Sequence, residues 1–162
     1  MQRVSTRLPT LGPRGEGWVL IQGILLVAIL AAGLTGPAWS GDLRVVTGVG
    51  GLFLMAGGAV LFLRGIFDLR ENLTALPHPR DDARLIEAGA YRLVRHPIYG
   101  GLIVGSVGWG LLWASPLALA GAGVLFAFFD LKSRREEAWL VERFPSYASY
   151  QARTRRFIPW VY

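Results

Sequence analysis

Four stretches of this chain are nearly free of strongly polar side chains, and they set its predicted architecture. Trp18 to Gly36 holds Gln22 alone and Val45 to Leu63 holds no charged residue; each run is 19 residues, close to the ~20 that cross a hydrocarbon core. Ile98 to Trp113 is 16 residues and Leu117 to Phe129 is 13, with Ala114-Ser115-Pro116 between them. An apolar run as short as the last fits a buried helix equally well. Here it continues as LKSRREEAWLVERF without Pro or Gly, so one helix is predicted to run on to about Phe144. The pattern predicts an all-α protein, an integral-membrane bundle of four transmembrane helices. The spans fall near residues 18–36, 45–63, 98–113 and 117–130. Spans three and four form a tight helical hairpin, followed by a cytosolic C-terminal helical extension. Residues 1–162 read as one domain, with cytosolic segments 64–97 and 130–162.

Composition points the same way. The chain is 52% hydrophobic and 17% charged, against roughly 25% charged in globular proteins. It has no cysteine, which excludes disulfides, thiolate metal sites and a Cys nucleophile; no metal is expected. The net charge of +6 would suit nucleic acid, but its distribution has another explanation. Residues 1–17 carry three arginines, Arg64 to Arg95 six, and Lys132 to Arg156 seven Lys or Arg; Arg44 alone lies on the other side. That asymmetry places both termini in the cytoplasm, with a bacterial inner membrane as the expected compartment. No nucleic acid is expected as a partner. The Arg-bearing start and Ala38-Trp39-Ser40 imitate a signal peptide. The apolar run exceeds the usual 7–15 residues of such a segment, so an uncleaved span is expected. Glycines are frequent in spans two and three, and Gly101-xxx-Gly105 is a close-packing signature between membrane helices.

Candidate chemistry concentrates where charge meets the third run, in GAYRLVRHPIYGG at positions 89–101. Pro97 suits the first turn of a helix, which puts Arg95 and His96 at its start. Free amides and the helix dipole make such a terminus a ready anion site, and Tyr91 and Tyr99 stand nearby. By charge alone, a positive-inside anchor with an aromatic belt explains the same residues. Glu136 and Glu137, among Lys132, Arg134, Arg135 and Arg143, read by themselves as a solvated helix face with paired charges.

The order of the residues carries more. Leu73-Thr74, then Pro77 and Pro79, precede Gly89-x-Tyr91-Arg92-x-x-Arg95-His96-Pro97-x-Tyr99-x-Gly101. Glu136-Glu137-x-x-Leu140, Phe144-x-x-Tyr147-x-x-Tyr150 and Arg156-Phe157-Ile158-Pro159 follow the predicted hairpin. This series resembles the signature of the membrane-embedded methyltransferases that include isoprenylcysteine carboxyl methyltransferase and the phospholipid N-methyltransferases. It covers about residues 70–160. Ala90 departs from a frequent Pro, and Pro145-Ser146 from a frequent Gly and acidic residue.

The resemblance implies S-adenosylmethionine as cofactor. His96 and the amides of the third helix then hold its carboxylate. Tyr99 lines the same wall, with Tyr91, Pro97 and Gly101 in the cofactor set. Glu136 or Glu137 accepts from the ribose hydroxyls or the ammonium. Adjacent helical residues diverge by about 100°, so only one of that pair is expected to face inward, with Leu140 and Phe144 beside it. Tyr147, Tyr150 and Phe157 are candidates for the adenine slot. Arg95 and Arg153 are the catalytic candidates, orienting a carboxylate acceptor. With fewer spans than the eukaryotic prenylcysteine enzymes, the chain is expected to act on a small amphipathic or lipid-like acceptor drawn from the bilayer. Two other functions compete. An NADPH-dependent reductase of the sterol-reductase type would use the basic tail for phosphates. A non-enzymatic small transporter would usually need an ionisable residue deep in a span.

Overall fold

The computed structural model describes residues 11–69 and 84–162. Its elements are α1 (Glu16–Thr35), α2 (Asp42–Leu69), a 3-10 turn at Gly89–Arg92, α3 (Pro97–Leu112), α4 (Pro116–Arg143) and α5 (Tyr147–Arg153). Among the described residues there is no strand, only an isolated bridge between Val94 and Arg155. Each apolar run became a helix. The chain is a membrane protein in which α1, α2 and α4 are long and apolar enough to cross a bilayer. At 16 residues α3 is shorter, about 24 Å in length.

Local chemistry sets the α3–α4 hairpin. Ala114 takes φ 53° at the left-handed position that ends a helix. The Ser115 amide bonds back to Gly110 O at 2.8 Å and the Ala114 amide to Leu111 O at 3.1 Å. This is the paired closure of a Schellman motif. Ser115 Oγ then caps α4 by accepting from the Ala118 amide at 3.2 Å, and Pro116 fills the first turn. The same hydroxyl donates to Ala32 O at 3.0 Å, which ties the end of α1 to the hairpin.

Glycine brings α2 and α3 together. A Cβ on Gly101 would lie 2.6 Å from Gly58 O, and one on Gly108 would lie 2.6 Å from Gly51 O. The backbones therefore meet at positions seven apart. Gly105, paired with Gly101 in the predicted motif, has nothing within 4 Å of such a Cβ. The backbone of Gly105 still belongs to the seam, because a Cβ on Gly58 would lie 2.8 Å from Gly105 N. Ile29, Ile103, Leu125, Phe129 and Phe157 form the core. Leu20, Val27, Phe53 and Phe67 are exposed on α1 and α2, as on helices that face lipid.

Candidate functional site

Residues 94–96 run beside the C-terminal tail. The amides of Arg95 and His96 donate to the carbonyls of Arg155 and Arg156 at 2.8 and 2.9 Å. Upstream, the Asp68 carboxylate at the end of α2 accepts from the Ala90 amide at 2.7 Å. Gly89 has φ 61°, and a Cβ there would run into that carboxylate, so this turn requires glycine. The Arg95 and His96 side chains are thereby fixed over α4.

There they meet two buried carboxylates, Glu136 at 9% and Glu137 at 4% exposure. Arg95 Nε donates to Glu137 Oε1 at 2.8 Å, and Nη1 donates to the carbonyls of Gln151 and Thr154. His96 Nε2 lies 3.2 Å from the same Glu137 oxygen, and Nδ1 lies 3.5 Å from Glu136 Oε2. Tyr99 donates its hydroxyl to Glu136 Oε1. Gln151 Nε2 donates to Glu137 Oε2 at 2.8 Å. Both carboxylates thus face inward, not one as expected. The reason is that α4 is covered on two sides: the first turn of α3 takes Glu136, and the tail takes Glu137. The solvated-face reading describes Arg134 instead, paired with Asp130 at 2.8 Å with its side chain 53% exposed.

Aromatic rings enclose this cluster. His96 and Tyr99 stack at 5.5 Å, and Tyr99 and Phe129 at 4.4 Å. Phe157 is buried with its ring 6.0 Å from His96. Tyr147 and Tyr150 are buried edge to face at 5.6 Å, and Tyr150 donates to Tyr91 O at 2.6 Å. Burial pushes the hydroxyls of Tyr91, Tyr147 and Tyr150 well above their ordinary pKa, so they remain protonated at neutral pH.

Arg95, His96, Tyr99, Glu136 and Glu137 come together, with Tyr91, Tyr147, Tyr150 and Phe157 packed around them, while Pro97 opens α3 with its ring toward Gly65 of α2. Two more predicted residues also lie outside the cluster. Gly101 packs against Gly58 in the helix seam. Arg153 has a side chain 55% exposed, pairs with Glu87 and covers the Tyr150 ring. Leu73, Thr74, Pro77, His78 and Pro79 lie outside the described residues. The structure adds Asp68, Gln151, Arg156, Lys132 and Gln22. Lys132 Nζ donates to Gln22 Oε1 at 2.7 Å, bridging α4 to α1. A signal for Gln22 was present: it is the strongly polar residue of an otherwise apolar run. Among the described residues, no group of three or more His, Cys, Asp or Glu is arranged to hold a metal ion.

The profile of the phospholipid methyltransferase family matches residues 46–146, from α2 to the end of α4. Protein-S-isoprenylcysteine O-methyltransferase B of Arabidopsis thaliana is 30% identical over 115 residues, 68% of this chain and 58% of that protein. Protein-S-isoprenylcysteine O-methyltransferase of Dictyostelium discoideum is 33% identical over 85 residues, 51% of this chain and 36% of that one. The cobalt-zinc-cadmium resistance protein CzcN of Cupriavidus metallidurans is 33% identical over 81 residues, 49% and 38% of the two chains. The chain spans about half the length of the curated relatives it matches.

Proposed function

The chain belongs to the phospholipid methyltransferase family, and from that premise we propose that it is an integral-membrane, S-adenosylmethionine-dependent methyltransferase. Its acceptor is small and amphipathic or lipid-like, and carboxyl O-methylation is the favoured reaction. The observation that carries this reading is the buried Glu136–Glu137 pair beneath the His96 and Tyr99 rings.

That donor set fits the cofactor. Carboxylates suit an ammonium and ribose hydroxyls, and ring faces suit a sulfonium. Glu136 and Glu137 would take the first two, with Tyr99 lining the same wall. His96 and the first turn of α3, which no side chain caps, would receive the carboxylate. Tyr147, Tyr150 and Phe157 are the proposed adenine side. When bound, the cofactor supplies an activated methyl group, whose transfer depends on alignment and exclusion of water. The chain's own residues provide both. Arg95 holds Glu137 in place with its fork already engaged, and the aromatic wall keeps the cluster dry. We place α3 in the membrane as a fourth span and the site on the cytoplasmic side, where an acceptor can enter sideways from the bilayer.

Calorimetry of detergent-purified protein with S-adenosylhomocysteine and, separately, with NADPH tests the reading. Heat is expected with the first and not the second. Heat with NADPH alone would favour the reductase and overturn this assignment.

A further inference from the structure

Phe129, Lys132 and Glu136 follow one another at spacings of three and four along α4, so they share one helix face. The Tyr99 ring lies along that face and is held at three points. It stacks on Phe129 at 4.4 Å, the Lys132 ammonium lies 4.8 Å from its centroid, and its hydroxyl donates to Glu136 Oε1. Lys132 is 1% exposed. Its ammonium donates to Gln22 Oε1 of α1 at 2.7 Å. Gln22 lies outside the part of the chain that matches the family profile, residues 46–146.

Burial disfavours the ionised form of a carboxyl group, and a nearby cation restores it. Glu137 has Arg95 at 2.8 Å, and Asp130 has Arg156 at 2.5 Å. Glu136 is also buried, and among the described residues its one ion-pair contact is His96 Nδ1 at 3.5 Å. Lys132 attracts it from beyond ion-pair distance. The partner on α1 matters for that attraction. An amide oxygen accepts from an ammonium without neutralising it, so the charge of Lys132 stays available to Glu136. A carboxylate in the place of Gln22 would bind the lysine and cancel much of that charge.

We propose that Lys132 is a positioning residue of the cofactor site: its charge holds Glu136 in the ionised, accepting form, its ammonium fixes the Tyr99 ring, and Gln22 sets where that charge sits. The proposal rests on the methyltransferase reading of Glu136 and Tyr99. It makes α1 a contributor to the site and not only a span packed against it. The groups that face Glu136 are His96 and Tyr99 from the start of α3, Tyr91 from the 3-10 turn, Tyr147 from α5, and Lys132 and Glu137 on α4 itself.

Infrared spectroscopy of the detergent-purified protein tests this. The band of protonated Glu136 is the difference between each protein and its matching Glu136→Gln variant, followed through a pH titration. Lys132→Met is expected to move the midpoint to higher pH, and Lys132→Arg to leave it near wild type. Gln22→Glu separates charge from packing. The new carboxylate would keep or tighten a structural clamp between α1 and α4, yet the Glu136 midpoint should again rise. S-adenosylhomocysteine affinity at neutral pH should fall about threefold or more in Lys132→Met and Gln22→Glu, and neither change should lower it further in a Glu136→Gln background. A midpoint unmoved in both variants, or an affinity loss that persists in the Glu136→Gln background, overturns the proposal. A moved midpoint in a protein whose wild type binds no S-adenosylhomocysteine removes the methyltransferase reading and keeps the charge role. Cofactor binding with an unmoved midpoint removes the charge role alone.

Discussion

Arg95 and Glu137, 42 residues apart in the chain, form a buried ion pair at 2.8 Å. It joins the start of α3 to the far end of α4, and their side chains are 8% and 5% exposed. Removing one partner of such a pair strands the other and costs about 3–5 kcal/mol. Arg95→Leu and Glu137→Leu are each expected to destabilise on that scale. The double variant should cost less than the sum, because no charge is then left stranded. Denaturation in micelles measures all three, and strict additivity would show that the two residues act independently.

Glu136 is predicted to bind cofactor and not to hold the fold. Glu136→Gln keeps an acceptor for Tyr99 and removes the charge. A lost charge-assisted hydrogen bond is worth about 1.5–3 kcal/mol, roughly tenfold to a hundredfold in S-adenosylhomocysteine affinity, and His96→Ala should weaken it as well. Calorimetric affinities equal to wild type in both variants would leave these residues with a structural role only.

The helix seam separates two glycines four positions apart. Gly101→Val puts a branched side chain where even a Cβ would be 2.6 Å from Gly58 O, and overpacking of that kind costs about 1–3 kcal/mol. Gly105→Ala meets nothing within 4 Å and should melt at or above the wild-type temperature. The reverse order would refute the seven-residue seam.

Alkaline pH should expose the buried tyrosines. Burial raises the hydroxyls of Tyr91, Tyr147 and Tyr150 in the folded state. The folded protein therefore holds their protons more tightly than the unfolded chain, and stability falls as pH rises above about 10. Below that value their contribution is fully present. Tyrosinate absorbance from these three should appear together with loss of helical circular dichroism. Ionisation at about pH 10 in a protein that remains folded would contradict the burial.

Membrane orientation can be read with an impermeant maleimide, because the chain has no native cysteine. Asp42→Cys is expected to label in intact cells, and Ala152→Cys only after permeabilisation. Labelling of the second position in intact cells would invert the topology.

Much of the architecture was legible in the chain. Apolar runs gave helix limits within a few residues of α1, α3 and the start of α4, and Ser115-Pro116 marked the hairpin. The end of α4 came from the lack of a helix breaker before Phe144, which is its C-terminal cap. Both glycines of the Gly101-xxx-Gly105 motif bring their backbones to Gly58, but the motif did not show that an added side chain would clash at Gly101 and not at Gly105. Where it would clash depends on the rotation of two helices about their axes, and that is not a property of either sequence alone.

The chain by itself determined the helices, the location of Arg95-His96-Pro97 at the start of one and the two adjacent glutamates on another. These follow from local properties: run length, hydropathy, and the missing amide of proline. Only the tertiary structure decided that both glutamates are buried, that Arg95 is consumed in holding one of them, and that Lys132 reaches Gln22, 110 residues away. A charged residue at a membrane edge has the same local signature whether it faces water or a neighbouring helix. Its surroundings are set by the packing of distant segments, here the tail laid against residues 94–96 and α1 laid against α4.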